Sequence, residues 1–504
     1  MTTETTQRRQ FTDERDYRDN FIRRDQIDMY LHNGRDFIPD DTIHALLASQ
    51  RIADPQRVRD ILAKSLAIET LLPEETAALL QVTDPGLLEE MTAAAWQVKH
   101  KVYDNRIVTF APLYLSNLCV NRCAYCGFRC DNAQQQRSRL SMDAVRHEAE
   151  VLAGQIGHKR LIVVYGEHPE SSTDYIADTI RTVYGTVVKT KRGTGQIRRV
   201  NVNAAPLPIE DLKVLKEEGI GTFQVFQETY HHATYRKLHG HGTPKADYAW
   251  RITCMHRALE AGVDDVGIGA LFGLYDWRFE VMGLLYHARE LERRFKVGPH
   301  TISFPRLEPA SGTELPGKTP WRVSDEDFLR LVTVLRLSVP YTGLLVTARE
   351  TAALRTGAVL RGCTQMDASS RVGIGAYAKS SGEQEKHQQQ FLLGDTRSLE
   401  ELVCDLARNG TITSFCTAGY RCGRTGGCIM DALKTGKEGK FCKVNAVLTF
   451  REWLDDFASP ETLRLSEPLL QREMKQIQEQ LPNFYPTVKN AYDRIERGER
   501  DIFF

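Results

Sequence analysis

Between about residues 105 and 370 the chain alternates between short apolar runs rich in β-branched residues and longer stretches with apolar positions at helical spacing. IVTFAPLYLS is followed by SMDAVRHEAEVLA, LIVVYGE by SSTDYIADTIRTVYG, RRVNVNA by PIEDLKVLKEEG, and TFQVFQE by YAWRITCMHRALEAG. DVGIGALFG leads to DWRFEVMGLLYHARELERRF, HTISFPRL to VSDEDFLRLVTVLRLSV, GLLVTARE to TAALRTGAVL, and CTQMDASS closes the series. Eight such runs, each but the last followed by an amphipathic stretch, predict an α/β fold. It is a (β/α)8 TIM-type barrel with its active site at the C-terminal ends of the strands. An open doubly wound sheet is the competing arrangement.

The flanks follow other rules. Residues 1–90 are charged and helical in pattern: DDTIHALLASQ with Asp40 or Asp41 as N-cap, DPQRVRDILAKSLA, and LPEETAALLQV with a proline just inside its start. Residues 380–400 are polar and glutamine-rich, which suits a mobile connector. SLEELVCDLARNG then predicts a helix with a glycine stop, followed by a cysteine- and glycine-rich loop and further helices. The expected division is a helical extension over 1–90, the barrel over 91–379, and a mainly helical C-terminal domain with a Cys-rich loop over 380–504.

Composition narrows the classes. The 504 residues carry 66 Lys+Arg against 66 Asp+Glu, so no basic surface for nucleic acid or an anionic membrane is expected. No apolar run approaches the roughly 18–20 residues of a membrane span. The polar, acid-containing N-terminus lacks the apolar core of a signal peptide, which predicts a cytoplasmic protein. Eleven cysteines in such a compartment point to metal ligation rather than disulfides.

The chemistry concentrates in APLYLSNLCVNRCAYCGFRC, directly after the first strand. Cys119, Cys123 and Cys126, spaced C-x3-C-x-aromatic-C-Gly, suit three irons of a [4Fe–4S] cluster. The fourth iron is then left for the amino and carboxylate groups of S-adenosyl-L-methionine (SAM). A zinc site or unrelated buried thiols is the bland alternative. Gly166 and Glu167 end strand two, where a glycine admits the backbone and a carboxylate accepts from an ammonium. Asn201 and Asn203 alternate along strand three and share a face, so they are expected to bond SAM or each other. Tyr125 and Phe128 flank Cys126 as candidates to pack on adenine. Gln224, Gln227, Glu228 and Tyr230 end strand four, and Arg349 ends strand seven as a bidentate clamp for an amino-acid carboxylate, unless Glu350 pairs with it.

With these motifs the chain resembles the tyrosine lyase branch of radical SAM enzymes, and within it the [FeFe]-hydrogenase maturases. The similarity runs from about residue 90 to 470 and is carried by APLYLSNLCVNRCAYCGFR, GHKRLIVVYGE, RRVNVNAAPL, FQVFQETYH, DDVGIGALFGLYDWRFEV, GPHTISFPRLEPA, VPYTGLLVTARE and SFCTAGYRCGRTG. The resemblance implies a deoxyadenosyl radical that takes a hydrogen from the amino group of L-tyrosine or a close analogue. Cleavage of Cα–Cβ then gives p-cresol and dehydroglycine. It implies that Cys119, Cys123 and Cys126 hold the cluster, that Gly166 and Glu167 meet SAM, and that Arg349 holds the substrate carboxylate. It also implies a low-potential electron donor such as ferredoxin or flavodoxin, and maturation partner proteins.

A second iron–sulfur cluster in the C-terminal loop, making CO and cyanide, belongs to the same resemblance. The family's C-x2-C-x22-C frame falls here on Cys416, Gly419 and Cys442, so one thiolate is missing unless Cys422 or Cys428 supplies it. Strand eight departs too: Cys363, Met366 and Asp367 are candidates for an altered cavity. His300, at the start of strand six and so at the bottom of the barrel, is a candidate ligand for an extra iron, with His287 competing. Two rivals stand beside the maturase reading. One is a 2-iminoacetate synthase of thiazole biosynthesis, which stops at dehydroglycine; the other is a non-catalytic, cluster-carrying assembly protein.

Overall fold

A computed structural model describes residues 9–49, 54–379, 389–423, 426 and 438–504. Strand β1 (Arg106–Ser116) is followed by β2 (Arg160–Tyr165), a small hairpin of β3 (Val187–Lys189) and β4 (Thr194–Gln196), and β5 (Arg199–Asn203). Then come β6 (Thr222–Gln224), β7 (Asp265–Gly269), β8 (Thr301–Ser303), β9 (Gly343–Val346), β10 (Gln365–Asp367) and β11 (Ile412–Ser414). Leaving out the hairpin and β11, the remaining strands pair in chain order, all parallel, and β10 returns to β1. The sheet is therefore a closed eight-stranded barrel, as its strand–helix rhythm predicts, and not an open sheet.

Alternation along each strand sorts the residues. Ala111, Leu113 and Leu115 of β1, with Leu161 and Val163 of β2 and Val200 and Val202 of β5, join the large core beneath the surrounding helices. Their neighbours Phe110, Ile162 and Leu345 turn inward and form a small apolar layer across the lumen. On the same inward face, Arg160 lies below that layer and Val164 above it. The lumen thus has two compartments, a mouth and a base.

β1 is the longest strand at 11 residues and is buried throughout. Its upper half pairs with β2, while its first residues pair with both β10 and β11. The pairing with β11 brings the C-terminal region against the base, a strand not foreseen from its three residues. A buried carboxylate fixes that contact: Glu452, on the helix Glu438–Phe457, meets Lys159 at 2.7 Å and Arg198 at 2.5 Å. The helices Asp40–Ser49, Pro55–Leu66 and Pro73–Leu80 pack against the barrel helices Trp277–Phe295 and Asp325–Ser338. The helix Asp40–Ser49 begins at Asp40 itself, and Asp40 accepts from the His232 ring at 2.7 Å instead of serving as the expected cap.

Candidate active site at the barrel mouth

The cysteine loop leaves β1 and is pinned by backbone bonds from Val120 to the Glu167 carbonyl (2.8 Å), Ala124 to the Leu238 carbonyl (3.0 Å) and Cys130 to the Asn121 carbonyl (2.8 Å). Cys119, Cys123 and Cys126 consequently line one cavity at the mouth. Burial pushes the Cys119 thiol up to about 11 and the Cys123 thiol up to about 12, so these sulfurs need a metal to become thiolates. Two amides already point at sulfur: Asn121 Nδ2 is 3.7 Å from Cys119 Sγ, and Gln390 Nε2 is 3.7 Å from Cys126 Sγ. Among the described residues no three His, Cys, Asp or Glu side chains converge on a single ion. Three thiols spread over one cavity wall suit the separated corners of a cluster better than a zinc ion.

Gly166 closes one side of the cavity. A Cβ there would lie 2.1 Å from the Leu118 carbonyl oxygen and 3.3 Å from Cys119 Cβ, so only glycine lets the loop lie this close. Glu167 beside it accepts from Asn121 Nδ2 at 2.6 Å, while its other oxygen, Oε1, is buried with no hydrogen-bond partner. Burial raises the Glu167 carboxyl, and an ammonium placed there would satisfy the orphaned oxygen. Asn203 also lines the cavity. Asn201 does not: one strand position pair deeper, its Oδ1 accepts the Thr222 backbone N–H at 3.0 Å and ties β5 to β6. Tyr125 and Phe128 both face the cavity; the Tyr125 hydroxyl is 2.8 Å from His239 Nε2, and Phe128 meets Tyr114 edge-on at 6.0 Å.

The opposite wall is charged. Glu228 sits at φ 71°, a left-handed conformation that turns its carboxylate into the cavity. It meets Lys245 at 2.8 Å and Arg251 at 3.4 Å; burial opposes its charge, but the two cations outweigh it and hold the carboxyl below its ordinary range. Gln224 joins it on the wall. Gln227 faces elsewhere, buried with its amide nitrogen unpartnered, and Tyr230 turns outward to His287 Nδ1 at 3.0 Å. Neither belongs to the site.

Arg349 is half-buried in the wall of the same cavity, its guanidinium 3.4 Å above the Phe391 ring. Among the described residues no carboxylate lies within ion-pair distance of it, because Glu350 is taken by Arg306. Phe391 belongs to a strap, residues 389–393, that crosses the mouth. Tyr114 donates to Gln390 Oε1 at 2.9 Å, and the Leu392 N–H donates to the Pro309 carbonyl at 3.0 Å. This stretch is thus packed against the site rather than a loose connector; residues 380–388 lie outside the described ones. Of the strand-eight candidates, only Asp367 reaches the mouth, held by the Ala348 N–H (2.8 Å) and Ser370 Oγ (2.5 Å). Cys363 and Met366 face away from it.

At the base, His300 Nε2 lies 3.2 Å from the Tyr420 hydroxyl, and Nδ1 lies 3.7 Å from Asp265 Oδ1. Arg199 stacks 3.2 Å over the Tyr420 ring. Cys416 follows β11 at φ 49°, Gly419 lies in the short helix Ala418–Arg421, and Cys422 ends that helix exposed. Burial raises the Tyr103 hydroxyl, Arg336 and Arg106 oppose this, and Cys416 and Cys442 add smaller raising influences, so both thiols lie on the Tyr103 side of the base. Cys428 falls outside the described residues. His287 is far from this group, in an aromatic cluster with Phe37 and His256, so of the two histidines only His300 faces the C-terminal loop.

Residues 113–282 match the Radical SAM superfamily, and residues 303–412 match the Biotin and Thiamin Synthesis associated domain. The crystal structure of HydG, a maturase of the [FeFe]-hydrogenase, superposes with a TM-score of 0.87 at 44% identity, covering 93% of this chain and 100% of that one. The chain belongs to the HydG family of radical SAM proteins. HydG from Carboxydothermus hydrogenoformans is 35% identical with a TM-score of 0.74, covering 94% of this chain and 98% of its own. The 2-iminoacetate synthase of Escherichia coli (strain K12) is 29% identical over 73% of this chain and 92% of its own length. Membership in this family implies a [4Fe–4S] cluster and SAM, and the thiol wall, the Gly166 cradle and the orphaned Glu167 oxygen fit them. Among the described residues no helix is long and apolar enough to cross a membrane.

Proposed function

We propose that the protein is a radical SAM carbon–carbon lyase that cleaves the Cα–Cβ bond of L-tyrosine, giving p-cresol and dehydroglycine. The observation that carries this reading is Arg349, a half-buried guanidinium with no carboxylate partner among the described residues, in the cavity that the three cysteines line. Cluster and SAM together supply a 5′-deoxyadenosyl radical when bound. Cys119, Cys123 and Cys126 hold the cluster, and Glu167, Gly166 and Asn203 receive the methionine end of SAM. Tyr125 and Phe128 border the cofactor. Arg349 fixes the substrate carboxylate by two parallel bonds, which orients the amino group. Glu228, held charged by Lys245 and Arg251, would take or return a proton at the substrate amine or phenol. The strap at 389–393 crosses the mouth and would shield the bound groups from water.

The second reading is a lyase that stops at dehydroglycine, as the name 2-iminoacetate synthase describes for the relative from E. coli. Gly419 in place of a cysteine favours it, because Cys416 and Cys442 alone make a poor shell for a cube. Anaerobic turnover of reconstituted protein with tyrosine, SAM and dithionite decides between them. Glyoxylate and p-cresol without diatomics mark the simple lyase, whereas CO and cyanide mark the maturase reaction with its maturation partners. Ferredoxin or flavodoxin would replace dithionite in the cell. Changing Cys119, Cys123 and Cys126 to Ala is expected to abolish deoxyadenosine formation. SAM cleavage surviving in that variant would sink the reading, and a wild-type protein forming no deoxyadenosine would leave the assembly-protein alternative.

A further inference from the structure

A second cavity, of about 400 Å³, opens on the outer flank of the barrel and shares no lining residue with the mouth. It lies where the helices Pro85–Tyr103 and Ala352–Leu360, strand β10, and the helices Leu399–Arg408 and Pro460–Gln480 meet. Trp96, Val359, Leu360, Met366, Leu402 and Leu406 form an apolar wall. Met366 points here because alternation along β10 sends Gln365 and Asp367 into the lumen and Met366 outward. Trp96 and Leu360 stand at the rim, 43% and 52% exposed.

Lys99 lines this cavity although it is only 2% exposed, and among the described residues it has no hydrogen bond and no ion pair. The other charges around the cavity are spoken for. Asp104 pairs with Lys443 at 2.9 Å, Asp405 with Arg397 at 2.9 Å, and Arg472 with Glu473 at 3.6 Å while also donating to the Gly410 carbonyl at 2.7 Å. A buried ammonium without a partner is costly, and an anion entering beside it relieves that cost. An apolar wall next to a single free cation selects an anion with a hydrocarbon body. Inorganic phosphate would leave the wall uncovered, and a neutral aromatic would leave the ammonium unpaired.

We propose that this cavity is a binding site for a small carboxylate with an apolar tail, the carboxylate on Lys99 and the tail against the wall from Trp96 to Leu406. The state of the lysine agrees. Burial, with Arg336 adding to it, pushes the ammonium down to about 8 against the opposing influence of Cys363 and Asp104. A bound carboxylate would draw it back up. The site is independent of the lyase reading, since it needs neither cluster nor SAM.

The test is calorimetric titration of the full-length protein with 3-phenylpropionate and, separately, with its neutral amide. The acid is expected to bind at least about tenfold tighter than the amide, as a charge-assisted bond requires. Lys99→Met, which keeps length and burial, should remove that preference, and Val359→Trp, which fills the cavity, should remove binding altogether. In the unaltered protein, bound acid should also slow acetylation of Lys99 as read by mass spectrometry, a measurement that holds even if a variant fails to fold. Equal binding of acid and amide, a preference surviving Lys99→Met, binding unaffected by Val359→Trp, or Lys99 acetylation unchanged by the acid would each overturn the proposal.

Discussion

A guanidinium half-buried in a cavity wall without a carboxylate in reach among the described residues, as Arg349 is, carries a desolvation cost that a bound carboxylate offsets. A charge-assisted bond of this kind contributes about 1.5–3 kcal/mol, so Arg349→Ala should raise the tyrosine requirement roughly tenfold or more. Uncoupled SAM cleavage should stay measurable. Arg349→Lys should recover little, because an ammonium cannot form two parallel bonds. Steady-state p-cresol formation against tyrosine concentration checks both, and an unchanged dependence would place the clamp elsewhere. Arg349, Glu167 and the three cysteines were legible in the sequence because each ends a strand or follows one in a known spacing. Lys245, Arg251 and Gln390 were not, since they reach the cavity from a single 3-10 turn, a short helix and the strap with no local pattern to mark them. Asn201 was misjudged for a related reason: period-two alternation gives the face of a strand but not the depth along it.

Elements show the same division between what local pattern carries and what folding adds. All eight barrel strands could be read from their apolar runs, while β11 could not, because three residues hold no periodicity and its partner lies at the other end of the chain. Asp40 reads as a cap in sequence but is claimed by a distant histidine. His232 bonds Asp36 at 2.9 Å and Asp40 at 2.7 Å, and so anchors the N-terminal helices to the barrel. Burial opposes charge on this ring, but the two carboxylates outweigh it and push it up to about 9. The folded-state value lies above the unfolded one of about 6.5, so the stabilisation is complete below that pH and is lost as pH rises through about 9. Protection from hydrogen exchange over residues 25–49, after correction for the intrinsic rise of exchange with pH, is therefore expected to fall between these limits, and His232→Asn should flatten the profile. A wild-type profile flat across that window would count against the anchor.

For the whole molecule, the buried Glu452 carboxylate governs how the C-terminal helices sit on the barrel base. Lys159 and Arg198 outweigh the burial that opposes its charge and hold it well below the usual carboxylate range. Glu452→Gln would strand two buried cations, a loss of about 3–5 kcal/mol. The expected result is a lower urea midpoint with early exposure of the C-terminal helices, read by pulsed proteolysis; an unshifted midpoint would mean the carboxylate is not what holds them. The iron content tests the other feature of this region. Protein reconstituted as isolated should hold about four irons, and Gly419→Cys should raise the count towards about eight if the loop then binds a second cube. Close to eight irons before the change would mean that Cys422 or Cys428 already acts as a ligand.

The double use of β1 has a consequence for how the protein is made. Its first residues need β10 and β11 beside them, and β11 emerges some 300 residues after β1. At about 5–20 residues per second, a ribosome takes roughly 15–60 s to cover that distance. Throughout that interval one edge of a strand that ends fully buried, with the cysteine loop at its end, waits unpaired on the nascent chain. Iron delivered early would meet thiols that are not yet positioned, and a chain interrupted before residue 412 would keep an open, sticky edge. Productive metal loading is thus expected only after β11 has emerged, and chains truncated before it are expected in the insoluble fraction.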